Sequence, residues 1–314
     1  MTKLQNAIVG GVRAVIGHVP ASWLPGGTPD PLIDKRVALG GQQSRVDGPD
    51  KVRGAARFAA EVPMENLLYA AFVHSTIARG RIADLDVSAA GAAPGVALVM
   101  THRNAPKMAV PPPIGMTNLK AAGNHTLPIM QDAEIRWNGE VVAVVLAGTR
   151  EQADHAATLI RVGYDTALAR TRFEEGKASA YTPESMLVEK NRLDKGNAAK
   201  KLAEAAFKID AVYTTPWENH NPIEPHATTI VWQDSKLVVH DATQMIHGTA
   251  GSLAKIFGLK EGDVQISSPY VGGGFGAKLA IYCEPLAALL AKKADAPVKV
   301  TMSRTEVFEA NGPT

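Results

Sequence analysis

The sequence predicts a mixed α/β (α+β) protein built in two successive parts. Three observations carry that expectation. Apolar runs of strand length alternate with segments that carry helix start signals, as in "VVAVVLAGTREQADHAATLI". The texture changes near residue 46, where a lead-in rich in Gly, Pro and Asp gives way to periodic segments, and again over a polar stretch at 171–205. Finally, 46% hydrophobic and 20% charged residues describe a chain that can bury a core.

Residues 1–45 read as an N-terminal extension. Leu4, Ile8, Val12 and Val15/Ile16 fit one face of a short helix, with a frayed tail as the alternative. Gly10, Gly11 and Arg13 interrupt the apolar run, which is too short to span a membrane. It has no twin arginine and matches a cleaved signal peptide only weakly. Periplasm and cytoplasm both remain open. Residues 17 to 54 read as irregular lead-in.

The first compact part covers 46–170. "ARFAAEV", "LLYAAFVHS" and "RGRIADLDV" are strand-like. "VSAAGAAPGVALVMT" reads as a small helix, a Pro-Gly stop and a strand at Val96–Thr101. A loop with "VPPPIG" follows. Val141–Ala147 is a continuous buried-type strand, and Thr149 with Gln152 forms a capping box that starts a helix running to about Leu159. "IRVGYD" begins another strand. After a linker at 171–205, the second part runs from 206 to 314. "AAFKIDAVYTTPWENHNPIEPHATTIVWQDSKLVVHDATQ" reads almost wholly as β. Next come a helix closed by Gly258, a strand in "VQISSPYV", a helix in "EPLAALLAKKA" and a strand in "PVKVTMS".

A net charge of +2 with no long basic run gives no expectation of nucleic-acid binding. The single cysteine, Cys283, excludes a disulfide within the chain and an all-cysteine iron–sulfur or zinc site. It precedes a helix start, where a thiol pKa can fall, but a packed, inert thiol is the better reading.

The most informative stretch is "SSPYVGGGFGAKLAIYCEP", which keeps one ring, Phe275, among four glycines between Gly272 and Gly276. A tight turn needs fewer glycines. A dinucleotide loop is formally matched by Gly272, Gly274 and Ala277. That reading needs a helix to begin at the glycines, so that its N–H groups face a pyrophosphate. Pro285 is tolerated in the first turn and not in a helix interior, so the helix is expected to start at Glu284 or Pro285. The third reading is a loop of exposed N–H groups against a bulky, oxygen-rich cofactor, with Phe275 as a wall.

Here the residues resemble a known family. "SPYVGGGFGAK" is similar to the molybdenum-cofactor loop of the xanthine oxidase family of molybdenum hydroxylases. "DGPDKVRGAARFAAEV", "LLYAAFVHSTIARGRIADLDVSAAGAAPGVALVMT" and "WNGEVVAVVLAGTREQADHAATLIRVGYD" resemble its α/β hammerhead domain. "NHNPIEPHATTIVW" and "VHDATQMIHGT" resemble the start of its molybdopterin-binding domain. The likeness runs from about Arg45 to Gly312 and is greatest to the large subunit of bacterial periplasmic aldehyde oxidases. It implies that Gly273, Gly274, Phe275 and Gly276 line a molybdenum centre and that Gln244 donates its amide hydrogen to a molybdenum oxo oxygen. It implies a molybdenum–molybdopterin cofactor in its cytosine dinucleotide form. The reaction is then oxidation of an aldehyde to a carboxylic acid with water as oxygen source. Electrons leave through iron–sulfur clusters and FAD on partner subunits, and the protein supplies orientation and electrostatics.

Two departures qualify the likeness. Purine-oxidising members carry a Glu after the loop lysine, where this chain has Leu279, which suits an aldehyde. The family's large subunits are more than twice as long, with the general-base Glu near their C-terminus. The isolated chain is therefore expected to be inactive without that region or a second chain completing the domain. A nucleotide-dependent oxidoreductase using the Gly272–Ala277 turn and a non-catalytic assembly subunit are the alternatives.

His220, Glu224 and His226 in "NHNPIEPH" have residue types that can ligate zinc or iron. Prolines 222 and 225 make the segment a bend, and no helical ligand spacing is matched. Glu224 and His226 are expected to fix that bend by hydrogen bonds, and no metal ligand set is assigned. His247 and Trp217 have no motif behind them, and the charges of "EKNRLDKGNAAKK" read as a solvated surface.

Overall fold

The computed structural model describes residues 45–109, 129–182, 185–186, 189–190, 192 and 195–310. The N-terminal helix reading and the "VPPPIG" loop lie outside them. The described residues fall into two compact units, divided between Ala56 and Arg57. In the first, the described part holds one short helix, α1 (Gly48–Val52), with Pro49 in its first turn. A turn of helix thus stands where irregular chain was expected.

The second unit contains β1 (Leu68–His74), β2 (Gly80–Asp86), α2 (Ser88–Gly91), β3 (Val96–Thr101), β4 (Glu134–Ile135), β5 (Val141–Ala147), α3 (Arg150–Thr158) and β6 (Arg161–Thr166). There follow α4 (Phe173–Lys177), the two-residue strands β7 (Ser185–Met186) and β8 (Glu189–Lys190), and α5 (Ala198–Glu204). The chain continues through β9 (Ala227–Gln233), β10 (Lys236–Asp241), α6 (Ile246–Phe257), β11 (Val264–Ser267), α7 (Glu284–Ala294), β12 (Val298–Thr301) and α8 (Arg304–Ala310).

Seven strands form one sheet in the order β11-β10-β9-β12-β1-β5-β3, and β4-β2-β6 form a second. The larger sheet therefore joins strands from both sides of the polar stretch. β1 is its hinge, antiparallel to β5 and parallel to β12. Every residue of β5 is buried because both of its faces are covered. Val144 and Leu146 enter the core beneath α7, and Ala143 and Val145 enter the core under β2 and α3. α7 is apolar nearly all round and fully buried from Glu284 to Ala291, as expected of a helix inside a core. The indole N–H of Trp232 on β9 donates to its Ala288 carbonyl at 2.9 Å.

Local signals place several elements closely. The Thr149 hydroxyl accepts from Gln152 N and the Gln152 side chain accepts from Thr149 N, completing the capping box. Gly258 ends α6 in the left-handed region, at φ 66°. α7 starts at Glu284 with Pro285 in its first turn.

Other expectations fail. "ARFAAEV" is no strand: Ala59–Glu61 is a 3-10 turn closed by Glu61 on Phe58 N. The stretch 205–217 ahead of β9 forms no strand either. Phe207, Ile209, Val212 and Tyr213 are almost fully exposed there, so its alternating pattern meets no face to bury against, and β-propensity alone does not make a strand. The linker carries α4, α5 and the β7–β8 pair. α8, for which no element was expected, is anchored by Ser303 and Glu306 at its start.

Candidate functional site

The sheet topology brings the chemistry-bearing segments to one end. β10 and β11 are parallel and joined by α6, so the segments leaving them emerge on the same side. β10 runs into Ala242–Thr243–Gln244, and β11 runs into the glycine loop. β9 is antiparallel to β10, with Thr228 opposite Asp241, so the "NHNPIEPH" bend before β9 reaches that same end. The carboxyl ends of parallel strands are where open α/β sheets present ligand sites.

The glycine loop is folded around the protein's own groups. A Cβ on Gly272 would lie 2.5 Å from Glu224 Cβ, and one on Gly274 would lie 2.2 Å from Gln244 Oε1. At Gly273 the neighbours are Pro222 and the Phe275 ring, and at Gly276 the neighbour is His220 Nε2 at 3.3 Å. The missing side chains thus make room for the bend and for Gln244. Gly273, Phe275 and Gly276 have φ of 95°, 54° and 100°. For Phe275, a non-glycine residue, this is a strained conformation of the kind found at ligand sites. It leaves the ring 70% exposed.

Gln244 is the centre of the arrangement. Its side-chain Oε1 accepts from Gly276 N at 3.2 Å and Lys278 N at 3.3 Å, and its backbone N–H donates to Lys278 O at 2.9 Å. Only an amide oxygen can take two N–H donors, so the bonds fix the amide's orientation and turn its NH2 away from them. Sequence reasoning named Gln244, Gly273, Gly274, Phe275 and Gly276 together, and the structure brings them together. Leu279 follows at the loop's end, 40% exposed, its N–H on Gly276 O.

The bend holds the loop at two more points. Glu224 Oε2 accepts from Gly272 N at 2.7 Å and from Lys278 Nζ at 2.8 Å. His226 Nε2 lies 3.2 Å from Ala277 O, so that nitrogen carries the hydrogen. Burial lowers the His226 pKa to about 4, and the nearby Lys278 charge works in the same direction, so the ring is neutral near pH 7. Arg304 grips the other side of the bend through Asn221 Oδ1 at 2.8 Å and Ile223 O at 2.9 Å. Among the described residues no group of three His, Cys, Asp or Glu side chains is placed to hold a metal.

Lys278 was missed from sequence, although a signal exists. It is the only charge between Val264 and Cys283. A lone charge in such a run is expected to be buried with a partner or fully solvated; here its side chain is fully buried.

The start of α7 does not serve a phosphate. It lies beyond the segment 277–283 and carries the buried Glu284, whose carboxylate takes Tyr282 N at 2.6 Å. Burial raises the pKa of Glu284, and burial together with Glu284 pushes Asp241 well above the ordinary carboxylate value. Acidic groups at a helix start leave no place for a pyrophosphate. Cys283 is buried and its pKa is raised by that burial, which fits a packed thiol.

Comparison with known proteins agrees with this layout. The model for the aldehyde oxidase and xanthine dehydrogenase a/b hammerhead domain matches residues 53–167. The model for the molybdopterin cofactor-binding domain matches residues 181–314. The chain is 36% identical over 278 residues to the aldehyde oxidoreductase molybdenum-binding subunit PaoC of Escherichia coli K12, which covers 88% of this chain and 36% of that protein. It is 29% identical over 273 residues to the putative xanthine dehydrogenase molybdenum-binding subunit XdhA of the same organism, covering 85% and 36%. The crystal structure of quinoline 2-oxidoreductase from Pseudomonas putida 86 superposes with a TM-score of 0.72 at 26% identity, over 86% of this chain and 35% of that one. The chain thus spans about 36% of the length of the curated relatives it matches. With hammerhead sequence followed by molybdopterin cofactor-binding sequence, it belongs to the aldehyde oxidase and xanthine dehydrogenase (xanthine oxidase) family of molybdenum-binding oxidoreductases.

Proposed function

We propose that this chain forms one wall of the molybdenum-cofactor site of an aldehyde-oxidising hydroxylase. The observation that carries this reading is the fixed Gln244 amide. Its oxygen is spent on the loop's own N–H groups, so a pre-oriented NH2 is left to donate to a ligand oxygen beside the exposed Phe275 ring. These residues fit an oxygen-rich metal cofactor, because the side chain presents a donor, as an oxo group requires, and no competing carboxylate. Gln244 and the Gly273–Gly276 backbone would hold it, most simply in its cytosine dinucleotide form. When bound, the cofactor supplies a two-electron oxidation with oxygen taken from water.

The chain's own part is to bind and orient. Gln244 donates one hydrogen bond in a direction set before the ligand arrives, so no reorganisation is needed at the moment of reaction. Phe275 offers an apolar face that limits water and the approach angle of substrate. Leu279 makes the end of the loop apolar, which favours a small aldehyde over a purine that needs polar partners. PaoC is named an aldehyde oxidoreductase subunit, and its higher identity to this chain supports the same preference. Relatives named as molybdenum-binding subunits support the presence of partner subunits, and iron–sulfur and FAD subunits are the electron partners this reading calls for. The described loop carries no side chain assigned as the general base, so that role belongs to a group elsewhere in the enzyme.

The test is Gln244→Ala in the molybdenum-loaded complex, with benzaldehyde as substrate. Turnover is expected to fall about 100- to 1000-fold while complex assembly is retained, the range for losing one oriented donor. Equal loss of assembly and turnover, or no loss of either, would make the chain an assembly subunit.

A further inference from the structure

The family reading assigns no role to the ion pair buried beneath the glycine loop. A single carboxylate oxygen, Glu224 Oε2, is tied to both ends of that loop, taking Gly272 N at 2.7 Å and Lys278 Nζ at 2.8 Å. Glu224 N also donates to Gly272 O at 3.1 Å, so the bend and the loop's start form a closed pair of bonds. The Lys278 side chain is fully buried and that of Glu224 is nine-tenths buried. Glu224 Oε1 is buried too and makes no hydrogen bond among the described residues. All the described hydrogen bonding of this carboxylate's side-chain oxygens therefore goes to the loop.

The consequence passes through the Lys278 backbone. Lys278 N donates to Gln244 Oε1, and Lys278 O accepts from Gln244 N. Whatever fixes Lys278 therefore fixes both ends of Gln244. Between the two anchors, Gly273, Phe275 and Gly276 keep positive φ, and such strain persists only where the surroundings over-determine it. An ammonium held only by backbone groups would not couple the two ends of the loop. A carboxylate that takes both does.

We propose that Glu224 and Lys278 are positioning residues. Together they set the direction of the Gln244 donor and the pose of the Phe275 ring toward the cofactor. This rests on the site reading given above. The pair acts through Gln244 and touches no reacting atom itself.

The experiment compares Lys278→Met, Gln244→Ala and the double variant in the molybdenum-loaded complex. It measures molybdenum per complex, the Mo(V) electron paramagnetic resonance line shape after dithionite reduction, and kcat and KM for benzaldehyde. Lys278→Met is expected to shift the Mo(V) signal and to lower kcat per molybdenum about 10- to 100-fold, the usual span for groups that orient metal-site residues. In the Gln244→Ala background it is expected to cost little more, because both changes act through one side chain. Where Lys278→Met does not accumulate, Glu224→Gln serves. Its amide oxygen still accepts from Gly272 N and Lys278 Nζ, so it should keep the wild-type line shape where Glu224→Ala loses it. A lower melting temperature with unchanged line shape and unchanged kcat per molybdenum would overturn the proposal, as would fully additive losses in the double variant. If Gln244→Ala itself changes neither signal nor kcat, the site reading falls, and this proposal with it. If Gln244→Ala changes both and Lys278→Met changes neither, the positioning role alone is wrong.

Discussion

Gly274→Ala isolates the packing of Gln244 from backbone effects. Gly274 lies outside the left-handed region, so alanine brings no conformational penalty there. Its Cβ, however, would sit 2.2 Å from Gln244 Oε1, 2.3 Å from Cδ and 2.9 Å from Cγ. Those atoms belong to a flexible side chain, so the amide moves rather than the loop backbone. It then gives up its bonds from Gly276 N and Lys278 N. Each is worth about 0.5–1.5 kcal/mol net, and water can serve part of the exposed Gly276 end, so the loss is about 1–2 kcal/mol. That corresponds to a melting shift of a few degrees for a unit of this size. Urea unfolding of wild type, Gly274→Ala, Gln244→Ala and the double variant gives the cycle. The singles should cost similar amounts and the double no more than either, because both remove the same two bonds. A neutral Gly274→Ala, or singles that simply add, would refute the packing argument.

Two further outcomes follow from particular contacts. Thr149→Ala removes the hydroxyl that accepts from Gln152 N and should cost about 1 kcal/mol by chemical denaturation, with the m-value unchanged. His74 places Nδ1 2.6 Å from Gly139 O and Nε2 3.0 Å from Glu306 Oε1, two acceptors that ask for a doubly protonated ring. Burial lowers the His74 pKa, but Glu306 and the Gly139 carbonyl outweigh it, and the value ends above the usual one. For Glu306, burial acts upward, and His74 with the Ser303 N–H outweighs it, so its value ends below the usual one. The His74 contribution is thus complete below its unfolded value of about 6.5 and is lost as pH rises through the raised folded value. The Glu306 contribution is complete above about pH 4.3 and is lost as pH falls through the lowered folded value. Wild type should therefore lose stability between pH 6 and pH 8 relative to Glu306→Gln. Parallel stability curves for the two proteins across that range would reject the pairing.

Local chemistry made much of this protein legible from its residues. The run Val141–Ala147 is apolar without a break, so it had to be covered on both faces. Thr149 with Gln152, Gly258 and Pro285 marked helix ends by capping and backbone geometry that depend on near neighbours alone. The density of glycines around Phe275 marked the loop, and the likeness to a molybdenum family named Gln244 with it.

What the sequence left open depends on contacts between distant residues. The glycines suggested an approaching ligand, whereas at Gly272 and Gly274 the approaching atoms are Glu224 and Gln244, which only the sheet order brings close. The alternating pattern around Phe207 and Tyr213 promised a strand, and whether it forms depends on a partner that periodicity cannot supply. Lys278 closed the loop motif without an assigned role, and its partner Glu224 is found only because a bend before β9 and a loop after β11 meet at one end of the sheet. Sequence by itself determines the helix caps and the fully apolar strand β5, because those obey short-range sterics, hydrogen bonding and burial. Tertiary structure decides which buried charge answers which, because that requires two parts of the chain to share one low-dielectric place.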